Sequence, residues 1–339
     1  MSDSLQVGIV GAGLIGTKRA EAIVATGEGK LRAVADIDEN RAETLARKYG
    51  AEAVANWEDL ILRKDLGAIV VSVPNAFASP IVLAALKSGK HIFCEKPLGV
   101  NAKESLKIVN AAKKAKKLVK VGFNHRFHAA LLEAHKIFQS GSIGAILFIR
   151  ARYGHGGRIG MEKEWRFDRK TSGGGELLDQ GVHLIDLARW FAGDFDRVYG
   201  VTCTKFWRTK VDDNAFALMM NRRVTVSLHA STTNWKNIFS FEVFGETGFL
   251  QIEGKGGSYG EELLTYGRRK PEFGVPAIEV IRFPAKDSSW EREWLNFVRS
   301  VAGEEDLSGA AIDGLRANRI VDAIYGSSRL RREVKISKS

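Results

Sequence analysis

The sequence predicts a parallel α/β domain over residues 1–123, followed by an α+β domain over residues 124–339. Three observations predict this. Short apolar runs alternate with helical stretches up to Gly122, a pattern that builds βαβ units around a parallel sheet. Beyond about residue 125, longer strand-like runs follow one another across short turns, as in an antiparallel sheet. The 339 residues, at ~150 per domain, amount to about two domains.

Each element has its own signature. Residues 5–10 form a short apolar run, a buried strand, and Gly11-Ala12-Gly13-Leu14-Ile15-Gly16 follows at once. Residues 18–25 have helical spacing, with Ala22, Ile23 and Val24 on the apolar side. Residues 31–36 read as a second strand and 40–49 as a helix. Residues 68–73 are apolar without alternation, like a strand covered on both faces. A helix over 80–88 closes at Gly89; a strand at 91–94, a helix at 102–117 and a strand at 118–122 complete the first domain. The second opens with a helix at 129–139. Strands are expected at 145–153, 197–207, 215–220, 224–233, 238–244 and 249–253, with Asn221-Arg222-Arg223 as a hairpin turn. Helices at 290–302 and 309–328 end the chain and are free to pack back on the first domain. No Pro/Gly-rich linker marks residues 122–124, so tight packing of the domains is expected.

The composition, 45% hydrophobic, 27% charged and 9% aromatic, excludes a disordered, collagen-like or disulfide-stapled chain. Cys94 and Cys203 lie far apart without metal-ligand spacing, so no metal is expected and a reducing, cytoplasmic setting is. Residues 1–4 have no basic run, and no signal peptide is expected. Residues 66–86 carry no charge and are long enough to span a bilayer. Pro74, Asn75, Ser79 and Pro80 break them into strand, loop and helix, which argues against a membrane span. The net charge of +11 raises nucleic acid as a partner. Its densest run, Lys107, Lys113, Lys114, Lys116, Lys117 and Lys120, is interleaved with Leu106, Ile108, Val109 and Leu118. That spacing describes a solvated helix face, and no nucleic-acid partner is expected.

Three constellations carry chemistry. The first is the glycine loop, set directly between a strand and a helix. Gly11 permits the tight turn, Gly13 admits a pyrophosphate to the backbone and Gly16 lets the helix that starts near Leu14 and Ile15 pack close. The free amides at that helix start face an anion. Asp36, 20 residues after Gly16, accepts hydrogen bonds from ribose hydroxyls and repels a 2′-phosphate. NAD is therefore expected over NADP. The second is Cys94-Glu95-Lys96-Pro97, at the carboxyl edge of the same sheet, where ligands of such sheets bind. An ammonium beside an oxidised nicotinamide meets a like charge and surrenders its proton more readily; a surface lysine before a rigid turn is the bland alternative. The third is Gly173 to Asp186. Asp179 and His183, four apart, share one helix face and can relay a proton. Asp186, three later, reads as a packing or supporting residue.

Gly11/Gly13/Gly16, Pro74-Asn75, Glu95-Lys96-Pro97 and Gly174 to His183 occur in this order. Together they resemble the Gfo/Idh/MocA oxidoreductases, over nearly the whole chain. The resemblance implies an α/β Rossmann domain followed by an α+β domain with a large open antiparallel sheet. It implies NAD(P)-dependent redox chemistry on a ring hydroxyl of a sugar, cyclitol or nucleotide sugar. Lys96, Asp179 and His183 match the catalytic trio of that family, and the Lys96–Pro97 peptide is expected to be cis. Gly11, Gly13, Leu14, Ile15, Gly16, Asp36, Ser72, Pro74, Asn75, Glu95, Lys96 and Asn124 are the expected cofactor residues. The Gly122-Phe123-Asn124-His125-Arg126-Phe127 segment resembles the stretch lining the active site. Substrate is expected at Lys96, Asn124, Arg126, Tyr153, His155, Arg158, Trp165, Arg166, Asp179 and His183. One departure stands out: many members have histidine where this chain has Ala78. Two other readings use the same residues, a glycoside-cleaving enzyme working through transient C3 oxidation by bound NAD, and a non-catalytic NAD sensor. The open sheet of the resemblance, with apolar groups on its second face, points to a homodimer or homotetramer.

Overall fold

The computed structural model describes residues 4–337; Met1 to Asp3, on which the signal-peptide expectation rests, lie outside the described residues. The chain divides into two compact units. One comprises residues 1–124 and 290–315, the other 125–289 and 316–339.

The first unit runs β1 (Gln6–Val10), α1 (Leu14–Thr26), β2 (Lys30–Ala35), α2 (Glu39–Tyr49), β3 (Glu52–Ala53), α3 (Trp57–Leu62), β4 (Ala68–Val71), α4 (Asn75–Lys87), β5 (His91–Cys94), α5 (Ala102–Ala115) and β6 (Val119–Val121). The strands pair in parallel in the order β3-β2-β1-β4-β5-β6, the doubly wound order whose carboxyl edge takes ligands. Residues 66–86 resolve into β4, a loop and α4, and no helix among the described residues is long and apolar enough to cross a membrane. α4 begins at Asn75, not at residue 80; Pro80 lies within it and removes one amide donor from its second turn. β3 and α3 were not expected. Lys120 corrects the reading of the lysine run: it lies on β6, fully buried, and donates to Asn296 Oδ1 at 3.0 Å and to the Ser308 carbonyl.

The second unit runs α6 (Ala129–Gln139), β7 (Ile146–Gly154), α7 (Arg169–Ser172), α8 (Val182–Ala192), β8 (Arg197–Cys203), β9 (Asn214–Met220), β10 (Thr225–Ser231), β11 (Ile238–Gly245), β12 (Gly248–Glu253), β13 (Glu262–Arg268) and β14 (Ala277–Phe283). α9 (Ser289–Ala302) and α10 (Ala311–Leu330) follow, then β15 (Val334–Lys335). Nine strands pair in the order β14-β13-β12-β11-β7-β10-β9-β8-β15. All neighbours are antiparallel except β7 and β10, which run parallel. β13, β14 and β15 were missed, and the strand expected to reach residue 207 stops at Cys203. There the carboxylate of Asp213 collects the amides of Lys205, Phe206 and Trp207 at 2.7–3.0 Å and turns the chain.

Within the first unit Trp294 and Phe297 of α9 join Val7, Ile9, Val34, Val70 and Phe93 in one buried cluster, so the core of this unit is closed by residues from the far end of the chain. Within the second, α6 and α8 pack on the sheet. Its other face leaves Phe148, Tyr199, Val201, Phe216 and Leu218 exposed. Arg150, Arg152, His229 and Glu242 help line a cavity of about 530 Å³ there.

Candidate active site

In the first unit the glycine loop is built as its spacing demands. Gly11 has φ +99° and its amide donates to the Ala35 carbonyl at 2.8 Å. A Cβ on Gly16 would lie 1.8 Å from the Gly11 carbonyl oxygen, whereas one on Gly13 would meet nothing within 4 Å. Two glycines therefore let the backbone close on itself, and the third faces open space. Asp36 is held by two amides, Ala12 to Oδ2 at 2.6 Å and Asp38 to Oδ1 at 2.9 Å. Each oxygen keeps a lone pair for a ribose hydroxyl. The exposed Leu14 begins α1, with Ile15 half-buried behind it. These features fit a dinucleotide: open space over Gly13, the free amides of α1 and a fixed carboxylate.

Two expected cofactor residues act from behind. Ser72 donates to the Gly11 carbonyl at 2.8 Å and so braces the loop. Glu95 is engaged inside the unit: its Oε1 accepts from Arg19 Nε at 2.6 Å, and Arg19 reaches Glu293 at 2.7 Å. Arg19 is fully buried, its guanidinium 4.2 Å from the Phe93 ring centre and 4.4 Å from that of Trp290. Burial opposes its charge, yet the two carboxylates hold it above its ordinary value. Burial pushes Glu293 up, against the pull of Arg19 and Lys120. Lys96, half-buried, follows β5 at the carboxyl edge, and its peptide to Pro97 is cis. Pro74 precedes the start of α4, Asn75 begins it and is buried, and Ala78 is buried in the same helix. Asn124 is buried and opens a short 3₁₀ turn.

In the second unit Asp179 sits in a π-helical turn, Leu177–Gly181, that runs directly into α8. The shared α-helical face expected for Asp179 and His183 is thus corrected to a π-bulge, a feature frequent at functional sites. The turn is anchored by Asp212, which accepts from the amides of Gly175 at 3.1 Å and Leu177 at 2.9 Å and from the Tyr325 hydroxyl at 2.7 Å. Asp179 lies 3.5 Å from Arg166, whose guanidinium stacks 4.5 Å from the centre of the Trp165 ring. His155 is drawn below its ordinary value chiefly by burial, against the pull of Asp179 and with Arg158 and Arg166 adding to it. Tyr153 is buried and held well above the usual phenol range, by burial first and then by Tyr259. Burial pushes Tyr259 up to about 12.

Two of the residues expected at substrate are paired with carboxylates of the same unit. Arg126 is buried and doubly bonded to Asp186, at 2.7 and 2.5 Å, so its fork is matched inside the unit. Arg158 is exposed and bound to Glu164 at 2.6 Å.

Sequence reasoning missed the aromatic cluster around His183. Its ring stacks on His125 with centroids 3.8 Å apart and planes 22° apart. His125 also touches Tyr153, His128 and Phe239 at 5.2, 5.6 and 5.7 Å. Lys255 lies 4.5 Å from the centre of the Tyr259 ring and 5.1 Å from that of Tyr153. His125 lies in the 122–127 segment already singled out; Tyr259 and Lys255, in a glycine-rich turn, carry no local signal. Among the described residues no group of three or more His, Cys, Asp or Glu is placed to hold a metal.

Comparison with known proteins adds the lineage. The signature described as "Oxidoreductase family, NAD-binding Rossmann fold" matches residues 5–123, and the Gfo/Idh/MocA C-terminal domain matches residues 131–251. The inositol 2-dehydrogenase of Rubrobacter xylanophilus is 30% identical over 97% of this chain and 92% of that one. The levoglucosan dehydrogenase of Pseudarthrobacter phenanthrenivorans is 31% identical over 59% of this chain. The match spans 54% of that relative, about half its length. In fold, the chain superposes on a levoglucosan dehydrogenase in complex with NADH and levoglucosan with a TM-score of 0.92, at 24% identity and 99% coverage of this chain and 100% of that one. Two family signatures in succession, and a relative matched almost end to end, place this chain in the Gfo/Idh/MocA family of NAD-binding oxidoreductases.

Proposed function

We propose that this protein is an NAD-dependent dehydrogenase acting on a ring hydroxyl of a sugar or cyclitol. One observation carries the reading: Lys96 follows β5 at the carboxyl edge of the parallel sheet that bears the glycine loop and Asp36. A sensor of NAD needs the loop but has no use for a lysine there. Bound NAD supplies the hydride acceptor. The chain handles the proton: His183, oriented by Asp179, takes it from the hydroxyl, and the Lys96 ammonium stabilises the developing alkoxide. The names of the relatives support a polyol of this kind, with inositol and levoglucosan as first probes. Asp36 supports NAD over NADP. Arg41, five residues after Asp36, is paired with Asp38 at 3.1 Å.

The exposed apolar face of the nine-stranded sheet supports a homodimer or homotetramer joined sheet to sheet, and light scattering at micromolar concentration tests it. The two free cysteines support a reducing, cytoplasmic setting. The test of function is NADH formation across cyclitols, hexoses, uronates and nucleotide sugars. Accumulation with an alcohol supports the dehydrogenase. Glycoside cleavage without net NADH overturns it, as does NAD binding with neither activity.

A further inference from the structure

We propose that His125 is a positioning residue for His183, and that the two imidazoles titrate as one unit holding at most one proton. The proposal rests on the reading of His183 as the proton acceptor, and deepens it.

The geometry is specific. The rings stack nearly parallel at 3.8 Å, both residues are buried, and the two come from different elements, the 3₁₀ turn Asn124–Phe127 and α8. A stacked neighbour removes the rotational freedom about χ2 that a histidine otherwise keeps, so it fixes the plane in which His183 offers its nitrogens. It also sets a charge rule. An imidazolium is attracted to the face of a neutral aromatic ring, but two imidazoliums at this separation repel strongly. His183 can therefore take a proton only while His125 is neutral. Protons on such a pair belong to the pair rather than to either ring.

Other groups face the pair. From β7 the pair meets Tyr153, a neutral phenol that shares a hydrogen bond with Tyr259 and carries Lys255 over its ring. Glu176 and Asp179 act on the same phenol, from the glycine turn and the π-bulge. From β11 comes the uncharged Phe239. His128 meets His125 edge-on, and its Nδ1 lies 3.3 Å from Glu262 and 3.8 Å from Asp287. Those two carboxylates face His128.

The test needs no substrate. Ring resonances of the full-length protein with NAD, followed by nitrogen–proton NMR against pH, should show His125 and His183 sharing two titration steps. In His125→Phe, which keeps the stacked face but cannot be protonated, His183 should titrate in a single step. An identical single-step curve for His183 in both proteins overturns the proposal. Kinetics give a second readout with whichever polyol is oxidised. His125→Phe should keep kcat within ~threefold at the pH optimum. His125→Ala should lower kcat by ~tenfold or more with KM changed less than threefold. Equal kcat in wild type and His125→Ala overturns the positioning role. If the NMR coupling is present but no polyol is oxidised, the stacked pair stands and the dehydrogenase reading falls.

Discussion

Arg19 donates through Nε to Glu95 at 2.6 Å, and Glu95 is the residue immediately before Lys96. The lysine expected to do chemistry is thus tethered, one peptide away, to a fully buried arginine. Removing one member of a buried ion pair leaves its partner charged in an apolar interior. Arg19→Met is expected to lower stability by about 3–5 kcal/mol, since both Glu95 and Glu293 lose their counterion. Adding Glu293→Gln should recover part of that loss, because the two sites are directly coupled. Urea denaturation of wild type and the two variants checks this. A single variant within 1 kcal/mol of wild type contradicts it.

The glycine loop predicts a separation of stability from affinity. Space is open over Gly13, so Gly13→Val should fold with a normal melting temperature yet bind NAD at least ~tenfold more weakly, about 1.4 kcal/mol. Gly16→Val should lose stability itself, because its Cβ has no room against the Gly11 carbonyl. In the same calorimetric titrations wild type should prefer NAD over NADP by at least ~tenfold, and Asp36→Ala should narrow that gap. Equal binding of both cofactors by wild type refutes the role given to Asp36.

Turnover should depend on Lys96 and His183 without a matching change in cofactor affinity. Lys96→Met is expected to lower kcat by at least ~10²-fold with NAD affinity altered by less than ~tenfold. His183→Asn should behave alike, and the double variant should lose less than the product of the two. Near-normal kcat in a folded Lys96→Met protein removes the lysine from the mechanism.

Acid should destabilise the fold through two histidines. Burial draws His91 down to about 4, with Lys117 adding to it, and burial draws His135 to about 4. Their ordinary value is 6.5. The folded state thus binds protons less readily than the unfolded chain. The stability these groups contribute is fully present above about pH 6.5 and is lost as the pH falls towards 4. The melting temperature should decline across that window at constant ionic strength. It should decline less in His135→Phe, which keeps the stack on Trp190 at 3.7 Å. An unchanged slope in that variant excludes His135 as a contributor.

What the sequence reveals here follows the range of the physics. The loop from Gly11 to Gly16 and the acid at Asp36 are legible because turn, helix start and strand end are neighbours in the chain. Lys120 is not: its lysine run looks solvated, and only Asn296 and Ser308, some 180 residues on, explain its burial. Arg19 and Glu293 are hidden for the same reason. The start of α4 is masked by Pro80, which reads as a helix start while sitting inside one. The π-bulge at Asp179 leaves no periodic trace in five residues, and β13, with Glu262, Thr265, Gly267 and Arg268 in its run, does not stand out from a loop. His125 was visible as a residue but not as a partner, because stacking on His183 joins positions 58 apart.

The indole of Trp294 donates to the Glu28 carbonyl, and its ring shares the buried cluster of β1 and β5. During synthesis this has a temporal meaning. The glycine loop, α1 and the first strands leave the ribosome early, but the residues that seal their core emerge only after residues 125–289 have been translated. Until then the nascent chain exposes the apolar patch that Trp294 and Phe297 will cover, and closure of the first unit's core must wait for the intervening residues 125–289 to be translated. A stalled or truncated chain would carry a complete cofactor motif and still present a sticky, unfinished fold to the chaperones and proteases of the cell.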